Sequence, residues 1–78
     1  MSIDLDSPVP RWRQLADILR RQIVSGELAG RLPGEKTLMQ EYGLSQGTVR
    51  HALAALREED LIVTTPGLAS YVVDRPGK

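Results

Sequence analysis

Glu35-Lys36-Thr37-Leu38-Met39-Gln40-Glu41-Tyr42-Gly43-Leu44-Ser45-Gln46-Gly47-Thr48-Val49-Arg50-His51-Ala52-Leu53-Ala54-Ala55-Leu56 is the stretch that decides the fold. Two helical patterns meet in it at a glycine. Leu38, Met39 and Tyr42 follow helical spacing, and Glu35 falls in the first turn, where the positive end of the helix dipole favours an acid. Gly43 breaks this helix. Leu44 follows, and then Ser45, a good N-cap because its hydroxyl can accept from the open backbone N–H groups of the next helix. That helix is expected over about residues 46–58, with Val49, Ala52, Leu53 and Leu56 on one face. Ala52, Ala54 and Ala55 let a neighbour approach closely. Two helices of about 8 and about 12 residues joined by a glycine-containing turn form the helix-turn-helix pattern.

Upstream, Leu15, Ile18, Leu19 and Ile23, with Trp12 ahead of them, mark one face of a helix at about 11–25, and Gly26 is its natural stop. Ala29-Gly30-Arg31-Leu32-Pro33-Gly34 reads as a loop from its glycine and proline content. Residues 1–10 are a polar lead-in ending in Ser7-Pro8-Val9-Pro10. Downstream the period changes. Leu61-Ile62-Val63-Thr64 and Ser70-Tyr71-Val72-Val73 are β-prone, and the turn-forming residues 65–69 between them make the pair a β-hairpin. The expected fold is mainly α with a small β-hairpin: a winged helix-turn-helix of three helices plus a two-stranded wing. An N-terminal arm spans 1–9, the domain 10–73, and a tail or linker stub 74–78.

The chain has 78 residues, enough for one domain and too few for a two-domain enzyme. A chain of this size buries only about 60% of its unfolded surface, so the core is small. With no cysteine there is no disulfide, iron–sulfur or thiolate zinc site, and with one histidine, His51, an imidazole metal site lacks partners. Glu58-Glu59-Asp60 are adjacent on a helix and do not face one another, so they read as a solvated helix end rather than a catalytic pair. No glycine-rich phosphate loop opens a helix. An enzyme, a metal and a cofactor are all unexpected. No apolar run approaches the ~20 residues of a membrane span, and Met1-Ser2-Ile3-Asp4 lacks a signal pattern, which points to the cytoplasm.

Net charge is zero, but its distribution is uneven. Residues 11–31 hold Arg11, Arg13, Arg20, Arg21 and Arg31 against Asp17 and Glu27. Lys36, Arg50 and Arg57 follow against Glu35 and Glu41. A local basic face of this kind suits phosphates. Arg11, Arg13, Arg20 and Arg21 themselves read as solvated helix charges, and Trp12 as a core residue or an anchor of the first helix.

Several pieces in order carry a more specific signal. They are Ile23-Val24-Ser25-Gly26-Glu27-Leu28, Leu32-Pro33-Gly34-Glu35-Lys36-Thr37-Leu38, Tyr42-Gly43-Leu44-Ser45-Gln46-Gly47-Thr48-Val49-Arg50, Ala52-Leu53-Ala54-Ala55-Leu56, Leu61-Ile62, and Gly67-Leu68-Ala69-Ser70-Tyr71-Val72. Over about residues 10–73 the chain resembles the N-terminal DNA-binding domain of GntR-type bacterial transcription regulators. It departs from that pattern in particulars. The loop between Gly26 and Leu32 is two residues short. Gly34 stands where Ser is usual, Gln46 where Arg is frequent, Asp60 in place of a helix-ending Gly, and Ala69 in place of the second wing-tip Gly. Asp tolerates left-handed geometry better than most residues. Most members of the family carry a further C-terminal domain for ligand binding and dimerisation, so the sequence is expected to be either an excised domain or a small protein of the DNA-binding part alone.

The resemblance implies sequence-specific binding of double-stranded DNA for transcriptional regulation, with repression the expected sense. The third helix would enter the major groove, and the wing would lie on the backbone or minor groove. Ser45, Gln46, Thr48 and Arg50 occupy the helix end that reaches base edges in such proteins. Arg50 is the leading candidate, since a guanidinium can bond both O6 and N7 of guanine. Gln46 could pair with adenine or a phosphate, and the Ser45 and Thr48 hydroxyls could hold phosphate oxygens. Lys36 occupies the position after the Glu of Leu-Pro-x-Glu, which often touches DNA in the family. His51 is a candidate backbone contact, and Gly67 serves turn geometry first and DNA second. Expected partners are a palindromic operator and a second copy of the chain, at least on DNA, with no small-molecule effector within this chain. The alternative is a winged-helix module that binds protein and has little specific DNA affinity, for which zero net charge and Gln46 are the arguments.

Overall fold

A computed structural model describes residues 3–65 and 69–73. Its elements are α1 (Arg11–Ser25), α2 (Glu35–Tyr42), α3 (Gln46–Glu58), β1 (Ile62–Thr64) and β2 (Ser70–Val72). This is the expected winged helix-turn-helix order.

Local chemistry sets most boundaries. Pro10 precedes α1, and its carbonyl accepts from the N–H groups of Arg13 and Gln14, both at 3.1 Å. Gly26 ends the helix at φ 84°, a left-handed conformation that glycine enters without a Cβ penalty. Gly43 does the same after α2 at φ 66°, and Leu44 N–H donates back to the Met39 carbonyl at 3.0 Å. The end of α3 has no glycine. Asp60 takes the left-handed turn instead at φ 60°, and Leu61 N–H closes onto the Leu56 carbonyl at 3.1 Å.

The core is one cluster, and among the described residues no polar or charged side chain is buried. It joins Leu15, Ala16 and Leu19 of α1, Leu38 of α2, and Val49, Ala52, Leu53 and Leu56 of α3 to Leu32, Leu44 and Ile62. The α1–α3 packing is the most extensive contact between elements. The small Ala16 and Ala52, both fully buried, suit close approach of the two helices. The predicted face of α3 is buried in full, whereas Trp12, Ile23, Met39 and Tyr42 lie half-buried at the edge of the cluster. Ile3 of the arm also packs against it. Gln14 holds the arm in place: its side chain accepts from Asp4 N–H at 2.7 Å and donates to the carbonyls of Asp4 and Val9, both at 2.9 Å.

Strands β1 and β2 pair antiparallel, Ile62 with Val72, Val63 with Tyr71 and Thr64 with Ser70. Residues 29–34 form the expected loop, with no helix or named strand, but one of them joins the hairpin. Arg31 forms an antiparallel bridge with Tyr71; Leu32 N–H donates to the Ser70 carbonyl at 2.9 Å, and Val72 N–H to the Gly30 carbonyl at 2.7 Å. The wing therefore has a third, single-bridge edge, which ties it to the segment leading into α2.

Two charge readings also change. Arg20 is not merely a solvated helix charge, nor Glu59 merely part of a solvated helix end. Arg20 Nε donates to Glu59 Oε1 at 2.8 Å, and its two terminal nitrogens reach Glu59 Oε2 and Asp17 Oδ1. The pair bonds α1 to the end of α3. The hydrogen bond from Arg20 is the main cause holding the Glu59 carboxyl below its ordinary range, and the Glu59 hydrogen bond raises the guanidinium well above its own.

Candidate nucleic-acid interface

The buried face of α3 leaves Gln46, Gly47, Arg50 and His51 on the exposed side of the helix. Helical periodicity forces this: once Val49, Ala52, Leu53 and Leu56 face the core, the residues between them must point away. The start of α3 is fixed by Ser45, whose Oγ accepts from Thr48 N–H at 3.3 Å and lies 2.9 Å from Thr48 Oγ1. Each hydroxyl thus has a partner in the other, and only one of the two hydroxyl protons is used in that mutual bond. The other O–H has no partner among the described residues and is free to donate.

Arg50 is not isolated in solvent. Its Nε donates to both oxygens of Glu35, at 3.1 and 3.3 Å, and Gln46 Nε2 reaches Glu35 Oε1 at 3.4 Å. Glu35 opens α2 and is half-buried. In the sequence Glu35 reads as a favourable first-turn acid and as the Glu of Leu-Pro-x-Glu, and its part in this group does not show there. No local periodicity links residues on two different helices, so only the turn at Gly43 brings them together.

Beside this group an open cleft of about 400 Å³ separates the start of α2 and α3 from the wing. Glu35, Arg50, Thr64, Thr65 and Ser70 give it polar lining, while Pro33 and Leu53 contribute apolar surface. Arg57, near the end of α3, donates from Nη1 to Thr64 Oγ1 at 3.0 Å, and Thr64 Oγ1 lies 3.0 Å from Ser70 Oγ. This chain of polar contacts ties the wing to α3 and was not legible from spacing either.

The other expected residues fall as follows. Lys36 is exposed on the first turn of α2. His51 is exposed, and its ring stacks on Trp12 with centroids 4.0 Å apart and planes at 13°. Trp12 is thus an anchor of α1 against α3. Gly67 lies outside the described residues. Among those residues, no three His, Cys, Asp or Glu side chains gather in a way that could hold a metal ion, and no helix is long and apolar enough to cross a membrane.

Residues 11–72 match the family described as bacterial regulatory proteins, gntR family. The chain belongs to the GntR family. The mannosyl-D-glycerate transport/metabolism system repressor MngR of Escherichia coli is 43% identical over 65 residues, covering 81% of this chain and 27% of that protein. YtrA of Sulfolobus acidocaldarius, a GntR-family transcription factor, superposes with a TM-score of 0.87 at 32% identity, covering 95% of this chain and 80% of that one. The AraR DNA-binding domain in complex with operator ORE1 gives a TM-score of 0.81 at 26% identity, with 94% of each chain covered. This GntR domain spans less than a third of the length of curated relatives it matches, 27% for MngR and 15% for the probable rhizopine catabolism regulatory protein MocR of Rhizobium meliloti.

Proposed function

We propose that this GntR domain binds double-stranded DNA in a sequence-specific manner and is the DNA-reading part of a transcriptional regulator, acting in repression. The observation that carries this reading is the exposed edge of α3 bearing Gln46 and Arg50 beside the wing cleft, in a chain that superposes over 94% of its length on a domain described in complex with its operator. Relatives such as MngR are repressors by name, which supports the sense of regulation.

In this reading the N-terminal end of α3 enters the major groove. Arg50 meets a guanine, and Gln46 an adjacent base or a phosphate. The free O–H of the Ser45–Thr48 pair and the Lys36 ammonium hold phosphate oxygens, and His51 touches the backbone. The wing lies on the backbone or minor groove, and Gly67 is a further proposed contact. Two copies on a palindromic site match protein symmetry to DNA symmetry. A single domain offers few contacts, and doubling them gives a usable affinity.

The test is selection of bound duplexes from a random library, followed by salt titration of the winning sequence against a scrambled one. A recovered motif whose log affinity falls with log salt by about 0.9 per phosphate contacted supports the reading. A folded protein that recovers no motif and shows no salt-dependent duplex binding overturns it in favour of a protein-binding module.

A further inference from the structure

Glu35 is the one acid in the cleft lining among the described residues. A carboxylate on a surface that meets phosphates weakens binding by repulsion, so its place there calls for a compensating role. Its bonds suggest one. A carboxylate only accepts, and it takes the Nε–H of Arg50 at 3.1 and 3.3 Å. The four N–H groups on the terminal nitrogens of Arg50 have no partner among the described residues. The contact to Gln46, at 3.4 Å, is made by the amide nitrogen. It leaves the amide oxygen and one N–H of Gln46 without a partner among the described residues.

We propose that Glu35 is the positioning residue that sets base selectivity in this domain: by holding Arg50 at Nε and Gln46 at its amide nitrogen, it decides which edge each side chain offers to DNA. The terminal edge of Arg50 is then aimed at the O6 and N7 of guanine. Gln46 offers one acceptor and one donor, the pattern that matches N6 and N7 of adenine. This role rests on the DNA-reading function proposed above. Glu35→Gln replaces the fixed acceptor with an amide that can present either oxygen or nitrogen, so Gln46 can flip and Arg50 loses its charged anchor. Glu35→Asp keeps the charge on a side chain one methylene shorter, which withdraws it from Arg50.

The experiment compares wild type, Glu35→Gln and Glu35→Asp in duplex selection, then in affinity for the wild-type motif and for scrambled DNA at one salt concentration. A thermal melt is recorded for each protein. Glu35→Gln is expected to lower the motif-to-scrambled ratio about tenfold, the scale of one lost bidentate base contact. Its affinity for scrambled DNA should rise, because a negative charge leaves the phosphate-facing surface. Glu35→Asp should lower the ratio without that rise. In an Arg50→Ala background the larger part of the effect should vanish, since the two residues act through one interaction. Equal gains on both duplexes would make Glu35 a repulsive charge only, and equal losses with a lower Tm would make it a structural residue; either result overturns the proposal. Failure of the wild type to recover a motif would instead overturn the DNA-reading function, and the role of Glu35 with it.

Discussion

Two arginines in this domain each bridge two helices through a glutamate, yet they are engaged differently. Arg20 uses all three nitrogens, two on Glu59 and one on Asp17. Among the described residues Arg50 uses only Nε, on Glu35, and its terminal nitrogens have no partner. The first sits behind the α1–α3 packing, with a bond on every nitrogen and two of its five N–H groups left over. The second sits at the cleft and is held at one end while the other stays available. The same ion-pair chemistry thus fastens the scaffold in one region and aims a side chain in the other. What separates them is the number of N–H groups left over.

The comparison breaks down most completely if the shared core is removed. Leu56→Ala, at a fully buried site common to both regions, should lower stability by about 2–5 kcal/mol. Chemical denaturation should show this large loss together with loss of DNA binding, because both arginine sites depend on the seating of α3.

Arg50→Ala should separate the two regions. Discrimination between motif and scrambled duplex should fall by about 1–3 kcal/mol. The denaturation midpoint should move little, since Arg50 is exposed and its ion pair is of the surface kind. An unchanged motif preference would remove Arg50 from the reading face.

Arg20→Ala should give the opposite pattern. The pair is partly exposed, with side chains 32% and 41% accessible, so solvent screening limits its expected contribution to about 0.5–1 kcal/mol. DNA selectivity should be retained. The pH dependence has a definite sign. Because Arg20 lowers the folded-state pKa of Glu59, the contribution is present above the ordinary carboxylate range of about 4.3 and is lost as pH falls through the lowered value. Wild type and Arg20→Ala should therefore differ in stability near neutrality and converge in acid, as denaturation at several pH values would show.

The smallest effect is expected at Gly47, on the exposed side of α3 beside Gln46. Nothing lies within 4 Å of a Cβ built there, so Gly47→Ala should raise stability by about 0.5 kcal/mol through the unfolded chain. The same methyl would stand on the face proposed to enter the groove, so motif affinity should fall. A variant that gains on both counts would place Gly47 away from DNA.

Much of the domain was legible beforehand for local reasons. Gly26 and Gly43 stop helices where a left-handed residue is needed, Ser45 caps the next one, and the spacing of Val49, Ala52, Leu53 and Leu56 marks the buried face of α3. Asp60 takes left-handed geometry where the family resemblance places a helix-ending Gly, which its short polar side chain tolerates. Contacts between remote segments were not legible. The Arg31–Tyr71 bridge lies in a stretch whose two glycines and one proline signal a loop, and only the approach of the hairpin gives its backbone groups partners. The stacking of Trp12 on His51 and the Arg57–Thr64–Ser70 tie likewise leave no periodic mark.

The candidate site divides along the same line. Periodicity alone puts Gln46 and Arg50 on the exposed side of α3, because a helix with one buried face has no other place for them. Which nitrogens of Arg50 remain open, and which way Gln46 presents its amide, were decided only when the turn at Gly43 brought Glu35 alongside. Spacing along the chain specifies faces within one element. Hydrogen-bond partners between elements are chosen by packing, where a carboxylate must find its donors among whatever the fold sets beside it.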